Sequence, residues 1–102
     1  MILEHAILPV LPGLEEEFEA AFAEAAPIIA GMAGFVDLRL SRSIETSNEY
    51  LLLVHWESVE AHEQGFRGSP GYGRWRELLH RFYEPFPNVE HFAPVQETGP
   101  IG

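Results

Sequence analysis

The sequence contains no cysteine, no lysine and no apolar run long enough to cross a bilayer. Without cysteine there can be no disulfide, thiol nucleophile or thiolate metal site. A membrane helix needs about 20 consecutive apolar residues, and the first residues, MILEHAILPV, lack the basic region and cleavage pattern of a secretory signal. We therefore expect a soluble, cytoplasmic protein that does not bind membranes.

Positive charge is also scarce, because six arginines face fifteen glutamates and one aspartate, for a formal net charge of -10. Such a chain repels phosphate backbones, so nucleic acid is not an expected partner. No basic amphipathic stretch is present that would settle on anionic lipid. The remaining candidates are a small neutral or weakly acidic organic ligand and another protein.

The length of 102 residues and the apolar content of 46% fit one globular domain with a modest core. We assign residues 1–95 to this domain and residues 96–102, QETGPIG, to a flexible C-terminal tail. A weakly alternating segment predicts a first strand at 2–9, and Pro12-Gly13 predicts the turn after it.

The strongest helix signal follows this turn. Glu15, Glu16 and Glu17 place negative charge on the first helical turn, where the helix dipole favours it. Pro27 predicts a kink or a restart before the helix ends at Gly31 or Gly34. The apolar positions recur at helical spacing: Leu14, Phe18, Ala21, Phe22, Ala25 and Ile29.

Two neighbouring segments predict an antiparallel hairpin. Residues 35–42, FVDLRLSR, alternate strictly, with Val36, Leu38 and Leu40 on one face. Residues 50–56, YLLLVHW, are apolar almost throughout, which is typical of a central strand covered on both faces.

Two shorter helices are predicted after the hairpin. Ser58 can cap a helix over 59–66, and Ser69 followed by Pro70 is a good start signal for a helix over 70–84. The last helix should bury a stripe formed by Tyr72, Trp75, Leu79, Phe82 and Phe86.

With a final strand at 88–95, the element order predicts an α+β fold, a ferredoxin-like split βαβ sandwich with helices on one face of an antiparallel sheet. Leu51 and Leu53 lie opposite in parity to Leu52, so both faces of the central strand are apolar, yet the helices can cover only one. A second copy packed sheet against sheet is the simplest cover, and we therefore expect a homodimer.

The segment HWESVEAHEQGFRGSPGYGRW at 55–75 resembles the corresponding segment of the antibiotic biosynthesis monooxygenase family. The Trp-Glu-Ser motif follows an apolar strand, and Ser-Pro begins thirteen residues after the tryptophan. Pro12-Gly13 and Gly34-Phe35 also fall where that family has turns, so the resemblance spans about residues 1–95. It implies a dimeric α/β barrel with a pocket between helices and sheet in each subunit.

The family that this sequence resembles includes haem-degrading enzymes and cofactor-independent oxygenases that oxidise polyphenols, anthrones or quinols. The haem degraders have an asparagine, a tryptophan and a histidine where this sequence has Ala6, Phe66 and Arg76. Because all three are replaced, we do not expect haem degradation.

Resemblance to the polyphenol oxygenases implies catalytic roles for Trp56, His62 and Arg76. The tryptophan and the arginine match that pattern, whereas histidine replaces tyrosine at His62. The asparagine expected four residues before the tryptophan is replaced by the apolar Leu52.

The chemistry of such a site needs no metal or flavin, and we expect no cofactor. A phenol or quinol that loses a proton can pass an electron directly to dioxygen. His62 or His80 could accept the proton near neutral pH, and Arg76 could stabilise the anion. The expected substrate-binding residues for a planar ligand are Tyr72, Trp75, Phe66, Leu52 and His80.

Each site residue also has a structural interpretation. Trp56 can be core packing, Arg76 can pair with Glu77 or Glu84, and both helix histidines can be surface residues. The alternative function is accordingly a noncatalytic dimeric module that binds an aromatic metabolite or a partner protein.

A metal site was the other hypothesis, because His5, His55 and His91 fall on three predicted strands. Histidines scattered over strands seldom converge, and none of these has the close spacing of a zinc motif, so we expect no bound metal.

Overall fold

The protein is described here by a computed structural model, which covers residues 1–100 of the 102-residue chain. No helix among these residues is long and apolar enough to span a bilayer. Residues 96–100 of the predicted tail are exposed and lack regular secondary structure, and residues 101 and 102 lie outside the described part. The elements are β1 (Ile2–Pro9), α1 (Glu15–Ala30), β2 (Phe35–Arg42), β3 (Glu49–Trp56), a π-helical segment (Ala61–Phe66), α2 (Pro70–Leu79), a 3-10 turn (His80–Phe82) and β4 (Val89–Phe92).

The four strands form one antiparallel sheet in the order β2-β3-β1-β4, and the two long helices pack against each other on one of its faces. This topology confirms the predicted ferredoxin-like α+β fold. The sheet of the single chain is open and does not close into a barrel.

The core lies between the helices and the inner face of the sheet. Alternate residues of β1 and β3 point into it, and β3 is buried at every second position from Tyr50 to Trp56. Phe18 of α1 is fully buried and contacts Tyr50 and Phe82, with ring centroids 4.8 and 5.6 Å away. The helical spacing therefore predicted the buried face of α1 correctly.

The helix does not restart at Pro27, and α1 continues through it to Ala30. Proline removes the hydrogen bond that its N–H would give to the carbonyl four residues earlier, here that of Ala23. Both Pro27 and Ala23 lie on the exposed side of α1, where water can satisfy this carbonyl. The helix consequently ends at the predicted Gly31.

The first residues of β2 depart from the predicted strict alternation of inward and outward side chains. The pairing of β2 with β3 shifts register between Phe35 and Asp37, so that Phe35 lies opposite Trp56. Val36 falls in this irregularity and is 44% exposed. The prediction that Val36 shares the inner face with Leu38 and Leu40 was therefore wrong, because a bulge adds one residue and changes the parity.

The first short helix after β3 ends at residue 66 as predicted, whereas the following helix ends before its predicted limit. The backbone N–H of Ala61 donates to Ser58 Oγ at 3.1 Å, and Ser69 caps α2 by accepting from the N–H of Tyr72. The helix predicted to reach residue 84 ends at Leu79, because the following residues pair with the end of β1. The N–H of Glu84 donates to the carbonyl of Pro9 at 2.9 Å. The last strand is shorter than the predicted 88–95.

The outer face of the sheet is not covered by residues 1–100. It presents apolar side chains from β1, β3 and β4 that are partly or largely exposed: Leu3, Ile7, Leu51, Leu53 and Phe92. Both faces of β3 are thus apolar, as the sequence predicted, while the helices cover only one.

Candidate functional site

A small hollow lies between the inner face of the sheet and the segments that follow β3. Its volume is about 70 Å³. Arg67 and Phe86 are the strongly exposed members of its lining, which places the mouth beside them. The lining consists of Glu4, Ala6, Leu8, Leu52, His62, Phe66, Arg67, Tyr72, Trp75, His80, Tyr83, Phe86, Pro87 and Val89.

Aromatic rings form much of this lining and hold each other in place. Phe66 meets Tyr72 and Trp75 edge to face, with centroids 5.2 and 5.4 Å apart. Such contacts are favourable for aromatic pairs and leave flat faces for a planar ligand. The hollow is therefore an aromatic site, and the polar groups within its lining define its chemistry.

Glu4 is the acidic group of the hollow and is only 5% exposed. The sheet register fixes it on the inner face, because Glu4 pairs with Val54 on one side and with His91 on the other. The indole N–H of Trp56 donates to Glu4 Oε1 at 2.8 Å. Burial raises the pKa of this carboxyl, although the Trp56 hydrogen bond and the charge of Arg67 act in the opposite direction. A raised pKa makes the carboxylate a stronger base.

His62 lies beside Glu4 and is 2% exposed. Its ring stacks on Trp56 with centroids 5.3 Å apart, and its Nε2 is 3.4 Å from Glu4 Oε1. On the other side, Nδ1 is 2.8 Å from His91 Nε2, a hydrogen bond in which one ring donates and the other accepts. Burial lowers the pKa of His62 to about 3, with smaller contributions from the charges of Arg67 and His91. The imidazole is therefore neutral at neutral pH.

Arg67 supplies positive charge at the site. It follows the π-helical segment directly, and its backbone N–H donates to the carbonyl of His62 at 3.0 Å. Its guanidinium charge acts to lower the pKa of Glu4, His62 and His80, in each case as a smaller contribution than burial. Because Arg67 also lines the hollow, it can stabilise an anion formed there.

Arg76 and Trp56, two residues expected to be catalytic, do not line the hollow. Arg76 is exposed on α2. Tyr72 lies about one helical turn before it and His80 about one turn after it, and the centroids of these two rings are 6.2 Å apart. Tyr72 and His80 line the hollow, whereas Arg76, which lies between them on the helix, does not. Trp56 is fully buried and contacts the lining of the hollow through Glu4, His62 and Phe66.

The other expected site residues come together around the hollow. His62 lines it, and so do the five residues expected to bind substrate: Leu52, Phe66, Tyr72, Trp75 and His80. His62 and His80, the two alternative proton acceptors of the sequence analysis, therefore both line the hollow. Burial lowers the pKa of His80, followed by the charges of Arg76 and Arg67.

Sequence reasoning missed Glu4, Arg67 and His91. Glu4 had a readable signal, because it shares its parity in β1 with the apolar Ala6 and Leu8. Its burial follows from that alternation alone. Arg67 had no comparable signal, since it follows a helical segment in an irregular turn.

The three histidines considered for a metal site do not converge. Sheet pairing places Leu3 opposite His55 and Glu4 opposite His91, so His91 lies on the inner face while His5 and His55 lie on the outer one. Among residues 1–100 no cluster of three or more histidine or carboxylate side chains is arranged to hold a metal ion. The metal hypothesis fails because of strand parity.

Comparisons with known proteins show the family of this chain and the solved structures that share its fold. A model of the antibiotic biosynthesis monooxygenase family matches residues 1–78. The uncharacterized protein YczJ of Bacillus subtilis strain 168 is 56% identical over 95 residues, which are 93% of this chain and 100% of YczJ. A candidate antibiotic biosynthesis monooxygenase from Bordetella bronchiseptica is 38% identical, with a TM-score of 0.88 over 93% of this chain and 97% of that chain. SnoaB, a cofactor-independent oxygenase from Streptomyces nogalater, is 24% identical and has the same fold, with a TM-score of 0.83 over 94% of each chain.

Proposed function

Because this chain belongs to the antibiotic biosynthesis monooxygenase family, we propose that it is a cofactor-independent monooxygenase that oxidises a small aromatic, anthrone or quinol substrate with dioxygen. The observation that carries the proposal is the pairing of the buried Glu4 carboxyl with His62 at the wall of an aromatic hollow. SnoaB supports it, because a cofactor-independent oxygenase has the same fold.

In this proposal Glu4 is the general base. A carboxylate removed from water and given a raised pKa can take a proton from an acidic methylene or hydroxyl group of a bound ring. Neutral His62 holds Glu4 in position, and Arg67 stabilises the anion that forms. These roles replace those expected for Arg76 and Trp56, and Trp56 becomes a positioning residue that orients the carboxyl.

The oxidation balances without a further reactant. An anthrone methylene gives a proton to Glu4, and the carbanion passes one electron to dioxygen. The two radicals combine into a peroxide anion, which takes up one proton from solvent at the mouth of the hollow, while Glu4 releases the proton that it accepted to solvent. Loss of water then leaves a ketone, so that one oxygen atom enters the product and the other forms water. The methylene carbon is oxidised and dioxygen is fully reduced, while the enclosure keeps solvent from the carbanion.

The size of the hollow favours a small substrate. Its volume of about 70 Å³ is less than the roughly 150 Å³ of an apolar cavity that binds benzene. A ring must therefore displace part of the lining or project through the mouth, where Phe86 is 62% exposed. A single-ring quinol requires less displacement than a three-ring anthrone, so we expect the quinol to have the lower KM.

Oxygen uptake with methylhydroquinone and with anthrone tests the proposal. We expect Arg67→Ala to lower kcat/KM by about 10- to 100-fold, because a charge that stabilises the anion is removed. The sequence-based hypothesis expects the larger loss in Arg76→Ala instead. An equal rate in Arg67→Ala and the unmodified protein would remove Arg67 from the mechanism, and no uptake with either substrate would contradict the oxygenase proposal.

A second candidate is the noncatalytic dimeric module that binds an aromatic metabolite or a partner protein. The small hollow and the apolar Leu52, in place of a polar side chain, favour it. Isothermal titration with methylhydroquinone under air separates the two functions, because binding without oxygen uptake supports the module.

The uncovered outer face of the sheet supports a homodimer as part of the proposal. Ile7 and Phe92 are 40% and 47% exposed there, and a symmetric sheet-to-sheet contact would remove them from water. The cytoplasmic location and the absence of cofactor, nucleic acid and membrane partners stay predictions.

A further inference from the structure

We propose that His62, His91 and Glu63 form a proton path that connects the buried Glu4 carboxyl with solvent. Its use in turnover rests on the function proposed above, in which Glu4 is the base. The path itself rests on contacts between four titratable side chains from β1, β4 and the π-helical segment, and two of them, His91 and Glu63, do not line the hollow.

The four side chains lie in a row from the interior to the surface. Glu4 Oε1 is 3.4 Å from His62 Nε2, His62 Nδ1 is 2.8 Å from His91 Nε2, and His91 Nδ1 is 4.0 Å from Glu63 Oε1. Their exposed side-chain fractions are 6% for Glu4, 3% for His62, 19% for His91 and 50% for Glu63. The row therefore ends in water at Glu63, and the last gap closes through a small rotation of this exposed carboxylate or one bridging water.

Both nitrogens of each imidazole face another titratable group of the row, which is the arrangement that proton relay requires. With Glu4 protonated, its O–H faces His62 Nε2 across 3.4 Å, His62 Nδ1–H donates to His91 Nε2, and His91 Nδ1–H points towards Glu63. When Glu4 gives its proton to Nε2, His62 gives the Nδ1 proton to His91, and His91 gives its Nδ1 proton to Glu63 and then to water. One proton leaves, both rings end neutral in the other tautomer, and no proton is left over.

The charges around the path favour this concerted transfer over a charged intermediate. Arg67 faces both Glu4 and His62, and its positive charge together with burial disfavours an imidazolium at His62. The other partner of Glu4 is the indole N–H of Trp56, which can donate a hydrogen bond but cannot pass a proton on. A bound substrate would fill the hollow, so the histidine row would be the remaining route from Glu4 to water.

The first test needs no turnover. Nitrogen-15 NMR of the imidazoles should show that the proton of His62 moves from Nδ1 to Nε2 as Glu4 ionises with rising pH, while the ring stays neutral. In Glu4→Gln this pH-dependent change should disappear. A His62 tautomer that stays constant across the pH range in the unmodified protein would overturn the proposal.

The second test uses oxygen uptake with methylhydroquinone. His91→Gln keeps a hydrogen-bonding amide but cannot relay a proton, so we expect kcat to fall about 10-fold with KM unchanged. Glu63→Gln should give a smaller fall in kcat, and added imidazole should restore part of the rate in His91→Ala. Glu60→Gln is the matched control, because this exposed glutamate precedes the π-helical segment and lies outside the row.

The outcomes separate the path from the function. Unchanged kcat in both His91→Gln and Glu63→Gln, or an equal loss in Glu60→Gln, would overturn the proton path while leaving the oxygenase intact. If the unmodified protein takes up no oxygen, the proposed function fails, and the His62 tautomer measurement still decides the path.

Discussion

His62 should make the protein sensitive to acid, and the size of the effect follows from its environment. The folded protein holds the pKa of His62 at about 3, whereas an exposed histidine has a value of 6.5. Between these values the unfolded chain binds a proton that the folded chain excludes, so stability is complete above about pH 6.5 and falls as the pH decreases. About pH 5 is roughly 1.5 units below the pKa of the unfolded chain, so the free energy of unfolding there is lower by about 2 kcal/mol.

Thermal unfolding of the unmodified protein and of His62→Gln at about pH 7.5 and about pH 5 measures this loss. We expect Tm of the unmodified protein to fall by roughly 10 °C more than that of the variant, because 1 kcal/mol shifts Tm by about 4–8 °C in a domain of this size. Glutamine can still bond to Glu4 and His91, so the difference between the two proteins isolates the histidine. Parallel pH dependences would refute the assigned pKa of His62 and with it the neutral, buried imidazole.

Four further substitutions test the fold and the proposed dimer. Gly34→Ala should lower the free energy of unfolding in urea by more than about 2 kcal/mol, because Gly34 has a φ of +85° and a Cβ there would lie 2.6 Å from that of Ala61. In the matched Gly13→Ala, where φ is +91° and the surrounding space is open, the free energy of unfolding should fall by only about 1 kcal/mol. Equal losses in the two variants would contradict the close approach of Gly34 to Ala61. Ser69→Ala should lower the free energy of unfolding by about 1 kcal/mol through loss of the α2 cap, whereas no loss would show that Pro70 alone sets this helix start. Leu53→Glu on the outer sheet face should convert a dimer into a monomer in analytical ultracentrifugation, and an unchanged mass would place any self-association elsewhere.

The sequence predicted the arrangement of strands and helices because each element has a clear periodicity. Alternation in β1 and β3 and helical spacing in α1 reflect burial on one side, which is a local property of the chain. The errors arose where tertiary contacts change local geometry. Val36 left the inner face at a bulge, and α2 ended at Leu79 because the chain beyond it pairs with β1.

The site was predictable only where a side chain lies on a regular inner face. Trp75 and Tyr72 follow the buried stripe of α2, and Glu4 could have been found from its parity in β1. The assignment of Arg76 came from resemblance to the family, which does not show that this side chain is exposed and lies outside the lining of the hollow. The pairing of His62 with His91 joins residues 29 positions apart, and no local pattern reports it.

The central claim is that Glu4 acts as the base for a reaction with dioxygen inside the hollow. The most direct measurement is mass spectrometry of the product formed from anthrone under ¹⁸O₂, in the presence of a metal chelator, with the unmodified protein and with Glu4→Gln. The account predicts a ketone that carries one ¹⁸O atom from the unmodified protein and almost no product from the variant. An unlabelled product, or equal labelled product from Glu4→Gln, would contradict it.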